Sequence, residues 1–272
     1  MNSCPCVVVI DVPYTWSMCL IAIAWQTHPD FPLVVAANRD EWRARPTEPL
    51  GWWHDVPGLL AGRDVKAGGT WMGVTHEGRF AAVTNFRDPS DARDNALSRG
   101  KLVTDFLRDT DPPEAFFARL AGRASQYNGF NLIGGDRTSL FYLGSREARV
   151  RAIAPGVHGL SNHTLDEPWP KVRRARVAME SALRDPDPTV HLFAMLADTA
   201  IAPDDELPDT GVGLEWERRL SPPLITGEAY GSRTSSVLTV ARDGAIFFEE
   251  RTLDADGKVT TSNVVRFEVA PP

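Results

Sequence analysis

The feature that most constrains this chain is a series of short apolar runs, each closed within a few positions by turn-forming residues. Residues 19–25 are apolar nearly throughout and stop before His28-Pro29; residues 33–37 come next and lead into Asn38-Arg39-Asp40-Glu41. Runs of this length read as strands, and two of them around a turn read as a β-hairpin. Residues 59–62 predict a further short strand, and residues 70–75 and 80–85 around Glu77-Gly78 predict a second hairpin. Strands are also expected at 130–134, 139–143, 150–153 and 157–160, and the tail reads as a three-strand meander over 231–241, 245–253 and 259–269. Helices are expected at 91–107, 114–121, 169–183 and 189–199; Pro112 and Pro113 suit a helix start, where a missing N–H costs little. Residues 202–223, rich in Pro, Asp and Glu, read as a loop or lid. Antiparallel hairpins dominate and βαβ units are absent, which predicts an α+β domain with helices covering two antiparallel sheets. A four-layer αββα sandwich fits. The length, 272 residues, suits one domain.

Composition narrows the function. A net charge of −7 argues against non-specific nucleic-acid binding, which needs a basic surface. No apolar run reaches the roughly 18–20 residues of a membrane span. The first seventeen residues lack the Lys or Arg of a signal peptide, and Asp11 interrupts their short apolar stretch. The three cysteines, Cys4, Cys6 and Cys19, all fall within the first twenty residues, which is neither a disulfide framework nor zinc-ligand spacing. The expectation is a soluble, cytoplasmic protein with one thiol to explain, no metal and no required cofactor. Lysine occurs only at Lys66, Lys101, Lys171 and Lys258, an imbalance against Arg that reads as genomic composition. Residues 1–17 do not resemble the rest of the chain. They read either as an extension upstream of the true start at Met18 or as a genuine short appendage, with residues 18–272 as the domain.

Taken singly, the conspicuous residues have ordinary readings. Cys19 suits a buried strand cysteine, and Arg39-Asp40-Glu41 suits a solvated turn with local ion pairs. The glycines at Gly62 and at Gly68-Gly69 lack the ending and the strand-to-helix context of a phosphate loop and read as backbone turns. Asn85 and Asn162 suit turn caps, and Arg233 suits an ion pair with an acid on a neighbouring strand.

Together they form an ordered set. Met18-Cys19-Leu20-Ile21, Ala37-Asn38-Arg39-Asp40-Glu41, Ala61-Gly62-Arg63-Asp64 with Gly68-Gly69-Thr70-Trp71, Ala82-Val83-Thr84-Asn85-Phe86-Arg87, Gly159-Leu160-Ser161-Asn162 and Gly231-Ser232-Arg233-Thr234 occur in this order. In them the chain resembles the NRDE family, the group that includes the transport and Golgi organisation 2 proteins, over essentially all of residues 18–272. More distantly, by pattern and order, it resembles penicillin V acylases and bile-salt hydrolases, which begin Met-Cys and expose the cysteine as residue one.

The resemblance implies a fold of the N-terminal-nucleophile hydrolase type with Cys19 at its centre. An N-terminal cysteine carries a thiol nucleophile and, in its free α-amine, its own base, so Met18 must be removed. Arg39 would lower the thiol pKa, and Asp40 would orient the Cys19 ammonium. Asn85 would donate to an oxyanion, Asn162 would position a carbonyl or add a second donor, and Arg233 would complete the charge field. Asn38, Glu41 and Trp71 would line the substrate. The implied activity is cleavage of a non-peptide C–N amide bond in a small acyl substrate. The rival from the same resemblance is a haem or lipid/acyl-CoA carrier or homeostasis factor, with His54, His76, His158, His163 or Cys19 touching haem.

Overall fold

The computed structural model describes residues 18–91 and 93–269; the reading of residues 1–17 falls outside them. The chain opens with β1 (Met18–Trp25) and β2 (Leu33–Trp42). Seven strands come next in sequence: β3 (Thr47–Trp52), β4 (Leu59–Asp64), β5 (Met72–Thr75), β6 (Phe80–Asn85), β7 (Phe130–Gly135), β8 (Leu140–Gly144) and β9 (Val150–Ala152). Helices α1 (Gly100–Arg108) and α2 (Pro113–Ala121) interrupt them between β6 and β7. Then come β10 (Gly156–Leu160), α3 (Pro170–Ala182), α4 (Thr189–Leu196) and α5 (Leu214–Leu220). The final meander is β11 (Tyr230–Val240), β12 (Ala245–Leu253) and β13 (Val259–Glu268).

Strands β3 to β9 form one antiparallel meander in chain order, whereas the other sheet joins the two ends of the domain in the order β10-β1-β2-β11-β12-β13. Period-two alternation sends each sheet's side chains to two cores. Ile21, Ile23, Val35 and Leu238 meet Leu60, Val74, Phe80 and Ile133 between the sheets. Leu20, Ala22, Val34 and Ala36 face the other way, onto Val172, Met179, Leu192 and Leu196 of α3 and α4. On the far side of the meander sheet, Leu102, Val103, Phe106 and Leu107 of α1 and Phe117 of α2 cover Ala81, Leu132 and Leu143. Burying each large side chain contributes roughly 1.5–3 kcal/mol. The result is the expected four-layer αββα sandwich.

Four local expectations are corrected. Arg39-Asp40-Glu41 is not a solvated turn but part of the buried second half of β2. Strand β3 adds to the expected strands despite containing Pro49. It is an edge strand, and its register slips between Glu48 and Gly51, where a proline is tolerated. The expected helix at 91–107 begins only at Gly100, because the preceding segment turns at residues 94–95 and is tied to the segment at 126–128: Arg93 N–H donates to Asn128 Oδ1 at 3.0 Å and Leu97 N–H to Gln126 O at 3.0 Å.

The segment 202–223 is likewise not a free lid. It contains α5, whose Glu217 is buried. The glycine pair before Trp71 has a steric reason. A Cβ on Gly69 would lie 2.6 Å from the carbonyl of Gly100, so only glycine lets the start of α1 sit there.

Candidate active site

Cys19 stands second in β1, directly opposite Arg39 of β2, and Arg39 in turn stands opposite Thr234 of β11. These three side chains form a row on the inter-sheet face. One register step away, Asp40 stands opposite Ser232 on one side and residue 18 on the other, and the Asp40 and Ser232 side chains take the opposite face. A register shift at Arg233 lets Ser232 and Ser235 both face the helices while Thr234 faces the other sheet.

The first row is the floor of a cleft of about 450 Å³. Its walls include Glu41, Thr47, Trp71, Val83, Asn85 and Leu97. Of the residues singled out in the sequence, Cys19, Arg39, Glu41, Trp71 and Asn85 line this one cavity. The lining is rich in charge, with Arg39, Arg45, Arg63, Lys66, Arg93 and Arg99 against Glu41, Asp64, Asp94 and Glu250.

Several charged side chains of the cleft are held in place. Arg39 Nη1 donates to Thr47 Oγ1 at 3.2 Å, and its Nη2 lies 3.5 Å from Glu41 Oε2. Glu41 Oε1 accepts from the Trp42 N–H at 2.9 Å. Arg45 Nε donates to Asp64 Oδ2 at 2.7 Å. Glu250 accepts from the Leu50 N–H at 2.9 Å, and burial raises its pKa. Burial lowers the pKa of Arg99 to about 10 against the opposing pull of Glu41.

The Cys19 thiol is buried and its pKa is pushed up to about 12. Burial is the main cause and the Asp40 carboxylate the next; the Asp40 backbone N–H and the Arg39 guanidinium oppose them, and Glu41 adds to the rise. With a peptide bond ahead of Cys19, the sulfur is therefore a protonated thiol at neutral pH. An adjacent positive charge is what lowers a thiol pKa.

Asn85 and Asn162 are joined. Asn162 Nδ2 donates to the Asn85 carbonyl at 3.0 Å, and the Asn162 carbonyl accepts from the Arg87 N–H at 2.7 Å. Ser161 Oγ, next in chain, donates to the Cys19 carbonyl at 3.0 Å. Asn162 is fully buried outside the cleft lining and braces the end of β6 at Asn85, while Ser161 ties the same segment to β1.

Asp40, Asn38 and Arg233 do not line the cleft. Asn38 points to the helices, donating to Leu196 O at 2.8 Å and Pro223 O at 2.9 Å and accepting from Ser235 Oγ at 2.6 Å. Arg233 donates to the carbonyls of Trp42, Arg43 and Arg45 rather than to an acid, clamping the β2–β3 turn. Asp40 is fully buried beneath the floor, with Oδ1 accepting from Ser232 Oγ at 2.6 Å.

Around Asp40 lies a charged cluster the sequence reading missed: Lys171 of α3, Arg87 and Glu217. Arg87 Nη1 and Glu217 Oε2 are 2.6 Å apart with both side chains buried. Ser232 and Arg87 belong to the ordered motifs, and Lys171 is the single lysine of an arginine-rich helix. Nothing in the sequence pointed to Glu217. Of the four histidines proposed for haem, none lines the cleft; His158 bonds Asp166 and Ala154 O, and His76 stacks on Trp52 at 3.9 Å. Among the described residues, no helix is long and apolar enough to cross a membrane.

A family model described as Transport and Golgi organisation 2 matches residues 18–255. The chain is 33% identical over 258 residues to the Transport and Golgi organization protein 2 homolog of Bos taurus, covering 87% of this chain and 93% of that protein. It is 31% identical over 258 residues to the homolog of Homo sapiens, with the same coverage. Among solved structures, a mutant of the conjugated bile acid hydrolase from Clostridium perfringens aligns over 92% of both chains with a TM-score of 0.48 and 9% identity.

Proposed function

The chain belongs to the Transport and Golgi organisation 2 family, and from that premise we propose that it is an N-terminal-nucleophile cysteine hydrolase, cleaving a non-peptide C–N amide bond in a small acyl substrate once its chain begins at Cys19. The observation that carries this is one geometry: a single thiol on the floor of an approximately 450 Å³ cleft, with a guanidinium opposite it and a carboxamide on the wall.

The chemistry derives from those positions. The freed α-amine takes the thiol proton: an S–H bond breaks and an N–H bond forms on the same residue. The thiolate attacks the substrate carbonyl, and the oxyanion is met by Asn85, a donor worth about 3 kcal/mol in such sites. The C–N bond then breaks, and the leaving amine takes the proton from the Cys19 ammonium. Water, deprotonated by the same amine, hydrolyses the thioester and frees the acid.

Arg39 supports the thiolate. Thr234 Oγ1, buried with no hydrogen-bond partner among the described residues, is a group a substrate can satisfy. Trp71, Val83 and Leu97 suit an apolar acyl part, and the excess of Lys and Arg around the cleft suits a substrate carrying negative charge.

The test is an electrophilic amide-mimic probe. Labelling that maps to Cys19 and is lost in Cys19→Ser is the expected result. A probe that leaves Cys19 untouched, or labels the variant equally, would remove the reading.

A further inference from the structure

The buried cluster beneath the cleft floor has a member whose presence packing does not explain. Lys171, in the first turn of α3, is 1% exposed, and its Nζ has no hydrogen-bond partner among the described residues. A Met or Leu would fill that space without burying an ammonium.

The charges around it can be traced group by group. Arg87, which leaves β6, and Glu217, from α5, neutralise each other at 2.6 Å; Tyr230 of β11 adds to the field at Arg87. That leaves Lys171 from α3 and Asp40 from β2, with the Cys19 thiol on β1 close enough to feel Lys171. Arg39 and Glu41 are paired on the other face of β2. With a peptide bond ahead of Cys19 the compartment is balanced. Freeing the α-amine adds a second amine beside the same carboxylate, since the residue before Cys19 stands directly opposite Asp40. One buried carboxylate cannot neutralise two ammonium groups.

We propose that Lys171 is a positioning residue: its buried ammonium holds Asp40, so that the Cys19 α-amine stays unprotonated and ready to take the thiol proton. This rests on the hydrolase reading above. Burial pushes the Lys171 ammonium toward its neutral form, and the Asp40 carboxylate is the counter-charge that opposes it. Burial likewise raises Asp40, with Lys171 the strongest opposing charge.

The experiment uses the full-length gene product purified from cells, its amino-terminal residue determined by sequential degradation. The rate of Cys19 alkylation by iodoacetamide is then measured from pH 5 to 10. In this step an S–C bond forms, iodide leaves, and the thiol proton passes to the α-amine. Removing a positive charge raises the pKa of both amine and thiol. Lys171→Met is therefore expected to move the alkylation profile at least one pH unit to the alkaline side, while Lys171→Arg, which keeps the charge, stays at the wild-type position. If Lys171→Met does not fold, as judged by thermal unfolding, Lys171→Gln is read in the same way. A neutral variant whose profile superimposes on the wild type overturns the role of Lys171 and leaves the nucleophile standing. A mature chain that does not begin at Cys19 overturns both.

Discussion

Cys19 and Arg39 face each other across the β1–β2 pair, and Thr234 extends their row onto β11. The alternation of β2 therefore divides the tetrad Asn38–Glu41 between two tasks. Arg39 and Glu41 serve the cleft, while Asn38 and Asp40 serve the interface with the helices.

The first consequence concerns the thiol before its amine is freed. Burial raises its pKa from 9.0 to about 12, so at pH 8 the thiolate fraction should be ~1000-fold below that of an unperturbed cysteine. A chain retaining residues ahead of Cys19 should react with iodoacetamide at pH 8 at least that much more slowly than a cysteine peptide. Equal rates would contradict the burial.

Arg39 is the charge opposite the sulfur. In a chain beginning at Cys19, Arg39→Leu should raise the thiol pKa and slow probe labelling about tenfold at pH 7, an effect of one pKa unit. Arg39→Lys should retain part of the rate. Labelling of Arg39→Leu at the wild-type rate would show that the guanidinium does not act on the thiol.

Asn38 carries a prediction about stability. It ties β2 to the end of α4, to Pro223 and to Ser235 through three buried hydrogen bonds. Asn38→Ala leaves those partners unsatisfied at about 1–3 kcal/mol each and should lower the unfolding free energy by about 3 kcal/mol. Urea denaturation measures it; a loss under about 1 kcal/mol would be inconsistent with these contacts.

The Arg87–Glu217 pair docks α5 onto the core at 2.6 Å. Glu217→Leu alone strands a buried guanidinium and should cost about 3–5 kcal/mol. The double change Arg87→Met with Glu217→Leu should recover most of that loss. If the double variant is as unstable as the single one, the stranded charge is not the cause.

His158 and Asp166 give a pH signature away from the cleft. Asp166 raises the pKa of His158 above 6.5, so this contribution is fully present below 6.5 and is lost as pH rises through the folded value. Burial pushes Asp166 up, but the bonds from His158 and the Gly159 N–H outweigh it and hold it below 3.8. Its contribution is present above 3.8 and lost as pH falls through the folded value. For this partly exposed pair the discounted effect is about 1 kcal/mol. Asp166→Asn should therefore lower Tm more at pH 5.5 than at pH 9; an equal drop at both would exclude the ion pair.

The sequence made the strands legible wherever turn residues bracket an apolar run, as for β6 and β12, whose bounds match the expectation. It misled where polar groups are satisfied by distant partners. Arg39-Asp40-Glu41 reads as a solvated turn in sequence, but Asp40 is buried because Ser232 completes its hydrogen bond from 192 residues away, just as Leu196, Pro223 and Ser235 do for the neighbouring Asn38. The cleft residues Cys19, Arg39, Glu41, Trp71 and Asn85 were legible through ordered motifs. Lys171 and Glu217 were not, because a buried charge shows itself only through what surrounds it. Arg233 sat in a motif and still proved to be a clamp on three carbonyls.

The most direct measurement is amino-terminal sequencing of the native protein, combined with its intact mass. The expected result is a chain whose first residue is Cys19 with an unblocked amine. Any residue still joined ahead of Cys19, or an acylated amine on it, would leave the thiol without its base and contradict the hydrolase reading.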